Sequence, residues 1–176
     1  MNWKVNTMQS KPAEPIVAME LKIRLIQVKP SVSRTILVPT TLRYRQLHEL
    51  IQIAFGWENA HLHEFQLQQI SSTRSLMDVL LNAQPEGEID EENDMVYPEI
   101  LNGSLTYTYD FGEDWKHKVE LGKVYTSAEL VRHDLPLCIR GRGNNMLEDG
   151  FEEPGAPYSR DNINRQFYYW RMRNAK

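Results

Sequence analysis

The sequence predicts an α+β fold with a mainly antiparallel sheet. Three observations carry this reading. Stretches of period-two alternation, the mark of half-buried strands, stand on both sides of one strong helical pattern. That helix, at about 42–55, directly follows an N-terminal β-hairpin, and the chain lacks the strand-helix alternation of a parallel sheet. A second helical pattern closes the chain. The strand-strand-helix-strand opening is compatible with a β-grasp-like arrangement, but element order alone leaves strand order open.

At 176 residues the chain has the length of one domain with a proper core. Hydrophobic residues at 41% and charged residues at 25% exclude a collagen, a disulfide scaffold and a fully disordered chain. Lys and Arg total 20 against 24 Asp and Glu, and the net charge of −4 argues against a general nucleic-acid or anionic-membrane binder. The lone cysteine, Cys138, allows no intramolecular disulfide and suits a reducing interior. No secretory leader pattern and no run of apolar residues long enough to span a bilayer is present, so a cytoplasmic protein without membrane association is expected.

Residues 1–15 are polar, hold Pro12 and Pro15, and read as a flexible arm ahead of a single α+β domain at 16–176. From Val17, Met19, Leu21, Ile23 and Leu25 alternate with Glu20, Lys22 and Arg24, which predicts a strand. Pro30-Ser31 marks a turn, and Arg34 to Val38 reads as the second strand, closed by Pro39. Thr40 or Thr41 is expected to cap the helix that follows. Leu47, Leu50, Ile51, Ala54 and Phe55 give it one apolar stripe, and Gly56 suits a left-handed stop.

In HLHEFQLQQI, His61, His63, Phe65 and Leu67 share one strand face. A short helix is expected at 76–81. The acidic stretch at about 83–96 reads as a solvated, mobile loop without the spacing of a calcium hand. Leu105 to Tyr109 and Trp115 to Val124 read as strands joined by the turn Asp110-Phe111-Gly112-Glu113-Asp114. From Asp161, Ile163, Phe167 and Trp170 recur at helical spacing among several arginines.

Three segments carry a resemblance. They are LKIRLIQVKPSVSRTILVPTTLRYRQLHELIQIAFGWENAHLHEF, YTYDFGEDWKHKVEL and CIRGRGNNMLEDG. In this order and spacing, over roughly 19–150, they resemble the plasmid pRiA4b ORF-three-like family, some of whose members are described as passenger proteins of an insertion element. The resemblance implies a compact α+β domain with no established activity and a loose association with mobile elements. In the third segment Cys138, Gly141, Gly143, Glu148, Asp149 and Gly150 match the family pattern. Asn145, Met146 and Leu147 stand near its proline positions, and Phe151 replaces its second closing glycine.

Four constellations could carry chemistry. His61, His63 and His117, with Asp114 or Asp110, could hold a divalent metal such as zinc, because histidines at i and i+2 on a strand point the same way. Glu113, Glu148 or Asp149 could then serve as general base. Against this, no HExxH or paired-cysteine pattern is present, and a core or turn role suits each of these residues. Among the aromatics, Trp57 and Trp115 stand next to turns and are expected to be partly exposed. Arg140 and Arg142, between glycines after Cys138, could cradle an anion, though exposed loop arginines are the commoner case. Arg165, Arg171 and Arg173, with Phe167, Tyr168, Tyr169 and Trp170, could dock on nucleic acid or a partner, though such a helix more often packs its aromatic stripe on its own domain.

The reading favoured overall is an accessory protein, leaning away from an enzyme, with a cleft for a protein or small-molecule partner. Its candidate residues are Trp57, His61, His63, Asp110, Asp114, Trp115, His117, Arg140, Arg142, Glu148 and Asp149. A metal-dependent hydrolase using His61, His63 and His117 is the alternative. Nucleic-acid binding through the C-terminal basic helix is the second.

Overall fold

A computed structural model describes residues 14–69, 89–130 and 134–175. The helix expected at 76–81, the acidic stretch up to residue 88 and the first thirteen residues of the expected arm lie outside these.

Eight strands and three helices follow in chain order among the described residues. Strands β1 (Ile16–Leu25) and β2 (Ser33–Pro39) precede helix α1 (Tyr44–Phe55) and strand β3 (His63–Gln69). Helix α2 (Val96–Ile100) leads into strands β4 (Gly103–Tyr109), β5 (Trp115–Thr126) and β6 (Leu137–Arg142). The short strands β7 (Met146–Leu147) and β8 (Gly150–Pro154) precede helix α3 (Arg160–Asn174). Strands β1 to β6 form one sheet in the order β3-β4-β5-β1-β2-β6, and β7 pairs with β8. Every pairing is antiparallel. The strand-strand-helix-strand opening is present, but β3 joins only β4, at the sheet edge, away from the β1-β2 hairpin.

Register decides the core. Leu21 lies opposite Ile36 and Leu121, and Ile23 opposite Arg34 and Val119. Tyr107 lies opposite Phe65 and His117, and Tyr109 opposite His63 and Trp115. Directly opposed residues share a sheet face, so all of these side chains point the same way, under α1. The helix answers with Leu47, Leu50, Ile51, Ala54 and Phe55, each fully buried. The larger of these contribute about 1.5–3 kcal/mol apiece. Helix α3 buries Ile163, Phe167 and Trp170, as its spacing predicts. It packs on β6 and α1, with Asn164 bonded both ways to the Cys138 backbone at 2.7 and 3.0 Å.

The start of α1 differs from expectation. Its N-cap is Arg43, not Thr40 or Thr41, and the Gln46 side chain accepts the Arg43 N–H at 3.0 Å. The next two amides donate to the carbonyls of Asp94 (3.3 Å) and Glu91 (3.0 Å). The end of the acidic stretch is therefore an ordered turn docked on the helix start. First-turn N–H groups need acceptors, and these carbonyls supply them. The Arg43 and Arg45 side chains add bonds to Glu92 at 2.7 and 2.5 Å. The helix end matches expectation: Gly56 sits at φ 75°, and an added Cβ would lie 2.3 Å from the Asn145 amide nitrogen.

No helix among the described residues is long and apolar enough to cross a membrane.

Candidate functional site

Three segments far apart in sequence meet at one end of the sheet: residues 56–63 after α1, the 109–115 hairpin turn, and residues 145–150 after β6. The last is carried across from the opposite sheet edge. Arg34 anchors its start. That buried guanidinium donates to Ala54 O (3.0 Å), Ser33 O (2.7 Å), Arg142 O (2.8 Å) and Asn145 Oδ1 (2.8 Å). It also stacks over Tyr158, 4.6 Å from the ring centre. One side chain thus ties β2, the end of α1 and the β6 exit together, with the charge satisfied by a fork of acceptors.

The far end of the segment is held by Glu148. Its carboxylate accepts the Tyr109 hydroxyl in a short hydrogen bond and the Glu58 N–H at 2.9 Å, while its carbonyl accepts Trp115 Nε1 at 3.0 Å. The Tyr109 oxygen in turn accepts the N–H groups of Ala60 (2.9 Å) and His61 (3.2 Å). Burial and the bond to Glu148 push the Tyr109 phenol up to about 12, so it stays a neutral donor.

This segment explains why the two tryptophans are not partly exposed. Trp57 is 7% exposed and Trp115 is 1% exposed. Residues 146–148 cover them and take both indole N–H groups, Trp57 Nε1 onto Met146 O at 3.0 Å.

The three histidines first considered as metal ligands do not converge. His63 stacks on His48 of α1 and bonds Glu91 at 2.9 Å. His117 is fully buried between Phe55, Trp57 and Tyr107. Its Nδ1 lies 3.3 Å from Tyr107 O, and its Nε2 has no hydrogen-bond partner among the described residues. Burial drives it down to about 3, so it is a neutral core residue. Alternation on their own strands aims His63 and His117 at α1, and the direction expected to be common to His61 and His63 is not shared. Asp114 pairs with Lys116 at 2.6 Å instead.

His61 precedes β3 and turns the other way. Its Nε2 lies 2.9 Å from Asp149 Oδ1 and 3.7 Å from Asp110 Oδ2. These three donor atoms all lie within 4.8 Å of one another. Asp110 sits at φ 56°, a region aspartate tolerates, and its Oδ1 accepts the Gly112 N–H at 2.9 Å, fixing the turn. Beside the trio a cavity of about 630 Å³ is lined by Glu58, Glu148, Asp149 and Glu153 with the backbone of Gly56 and Gly155. No basic side chain lines it among the described residues.

Arg140 and Arg142 are not part of this end. Both lie exposed on β6, at the opposite sheet edge, and Arg140 reaches Glu20 at 3.6 Å. Cys138 is buried there, and burial pushes its thiol up, away from nucleophilic use. On α3, Arg171 pairs with Asp134 at 3.2 Å, while Tyr168 and Tyr169 are exposed.

Sequence reasoning missed Tyr109 as a holding group, together with Arg34, His48 and Asn145. One signal could have found Arg34: it stands two residues before Ile36, so alternation puts it on the core face.

The sequence model described as plasmid pRiA4b ORF-3-like protein matches residues 17–156. An uncharacterised protein, y4hQ, of Sinorhizobium fredii is 31% identical over 134 residues, which cover 74% of this chain. The chain spans 65% of that relative's length. A crystal structure of a protein of unknown function from Methanosarcina mazei Go1 is similar at TM-score 0.60 and 26% identity, over 77% of this chain and 75% of that one.

Proposed function

We propose, for a chain that belongs to the plasmid pRiA4b ORF-3-like family, a binding role rather than a catalytic one: an accessory domain that holds a positively charged ligand at the sheet end where the three segments meet. One observation carries this reading. The cavity of about 630 Å³ is lined by Glu58, Glu148, Asp149 and Glu153 with no opposing basic side chain among the described residues. Asp149, one of the lining residues, is bonded to His61. Carboxylates gathered in a concave site raise the local concentration of cations. Glu148 also holds the segment over the tryptophans, whereas Asp149 is largely exposed. The resemblance to insertion-element passenger proteins supports an accessory role beside a mobile element. A hydrolase on His61, His63 and His117 has no such support, because two of those rings serve the core.

The test is binding of cationic probes: a fluorescent oligo-arginine peptide and spermidine by anisotropy and competition, and divalent metals by calorimetry. We expect at least one class to bind, and to weaken at least about tenfold in the Asp149→Asn/Glu153→Gln variant. Failure of every probe, or equal binding by the variant, overturns the reading.

A further inference from the structure

We infer that His61, Asp110 and Asp149 are the ligands of a divalent transition-metal ion, the cation that this cleft holds. The inference deepens the binding reading and rests on it.

The donor set is one imidazole nitrogen and two carboxylate oxygens. Nε2 lies 2.9 Å from Asp149 Oδ1 and 3.7 Å from Asp110 Oδ2. Donors bound to a metal at about 2.0–2.2 Å stand about 3.0–3.4 Å apart, so small side-chain adjustments close the set around an ion. Two carboxylates neutralise a 2+ charge, and imidazole with carboxylate suits zinc, manganese or iron(II) better than calcium or magnesium.

Asp110 is the most enclosed of the three. Its side chain is 11% exposed. The backbone donors of Gly112 (2.9 Å) and Glu113 (3.4 Å) both go to Oδ1. Its Oδ2 receives no hydrogen bond among the described residues and faces His61. The turn thus uses Oδ1 and leaves Oδ2 over, and a cation at this point would engage it.

The surroundings position the other two ligands. The His61 backbone is bonded to the Tyr109 hydroxyl, and its ring meets the Tyr109 ring edge-on at 5.7 Å. Tyr109, Trp115 and the Glu58 amide fix Glu148, the residue before Asp149. Supports of this kind usually change metal affinity 10–100-fold when removed. The Asp149 side chain is 79% exposed, which leaves the outer side open for a water or a ligand atom.

The experiment is calorimetry with zinc chloride and electron paramagnetic resonance with manganese chloride, on untagged, chelator-treated full chain. His61→Gln, Asp110→Asn, Asp149→Asn and Glu148→Gln stand beside wild type, with His63→Asn as control and thermal melting as the check on folding. We expect one ion per chain, affinity falling about 100-fold or more in His61→Gln and Asp149→Asn, and about tenfold in Glu148→Gln. The His63→Asn variant should bind as wild type. No uptake of either metal, or wild-type affinity in folded His61→Gln and Asp149→Asn, overturns the inference. If metal fails while oligo-arginine or spermidine binds in an Asp149/Glu153-dependent way, the metal assignment falls and the cleft reading stands. If neither binds, both fall.

Discussion

His48 of α1 and His63 of β3 stack face to face, with ring centroids 3.6 Å apart and planes 4° from parallel. His48 is held on both nitrogens, by the Tyr107 hydroxyl at 2.8 Å and Asn59 Oδ1 at 2.7 Å. Gln52 completes the net by donating to Tyr107 at 3.0 Å and accepting the Asn59 N–H at 2.9 Å. This polar lock joins the helix, β4 and the loop that leads to His61. Burial, reinforced by the facing His63, holds His48 below the usual histidine range.

Replacing His48 by alanine should cost about 2–4 kcal/mol, because it leaves a cavity and takes a partner from the buried Tyr107 hydroxyl. Urea unfolding at pH 7.5 measures it. A loss under about 0.5 kcal/mol, the scale of an ordinary surface change, would contradict the lock.

Stability should fall with acid because of His117. Its folded-state pKa is depressed to about 3 from an ordinary 6.5. The unfolded chain therefore takes up a proton that the fold refuses. The stabilisation is complete above about pH 6.5 and declines toward pH 3, by up to about 1.4 kcal/mol per pH unit. Between pH 7.5 and 5 the unfolding free energy should drop by about 2 kcal/mol from this group, with His48 adding in the same direction. His117→Leu should flatten the dependence; a variant as acid-sensitive as wild type would show that other groups control it.

Arg34→Lys should destabilise the protein by about 2–4 kcal/mol despite keeping the charge. One ammonium cannot serve four acceptors on three elements, and it loses the stacking on Tyr158. Thermal melting reads the loss. A melting temperature within a degree or two of wild type would mean that the segment after β6 is held elsewhere.

Glu148→Ala should loosen residues 145–150 and wet the two tryptophans beneath them. The expected readouts are a red shift of tryptophan emission and a stability loss of about 1.5–3 kcal/mol, since the Tyr109 hydroxyl and the Glu58 amide lose their acceptor. Unshifted emission would place the cover over Trp57 and Trp115 on other residues.

Local patterning by itself determined the elements. Alternation from Met19 to Leu25, the stripe Leu47-Leu50-Ile51-Ala54-Phe55 with Gly56 behind it, the 110–114 turn and the Ile163-Phe167-Trp170 stripe each depend on neighbours a few residues away, and each is present as read. The same parity puts Arg34 on the core face, though sequence reasoning missed it, and it gave His61 the direction of His63, which also suits a metal. The tertiary structure alone decided which reading held. Where α1 lies, which strand borders which, and where the chain crosses after β6 are long-range facts without a local signature. That crossing buries Trp57 and Trp115, and it brings Asp149 to His61 across a separation of 88 residues. The acidic turn at 90–94 is ordered for the same reason: the first amides of α1 need acceptors, and only the folded chain brings those carbonyls within reach.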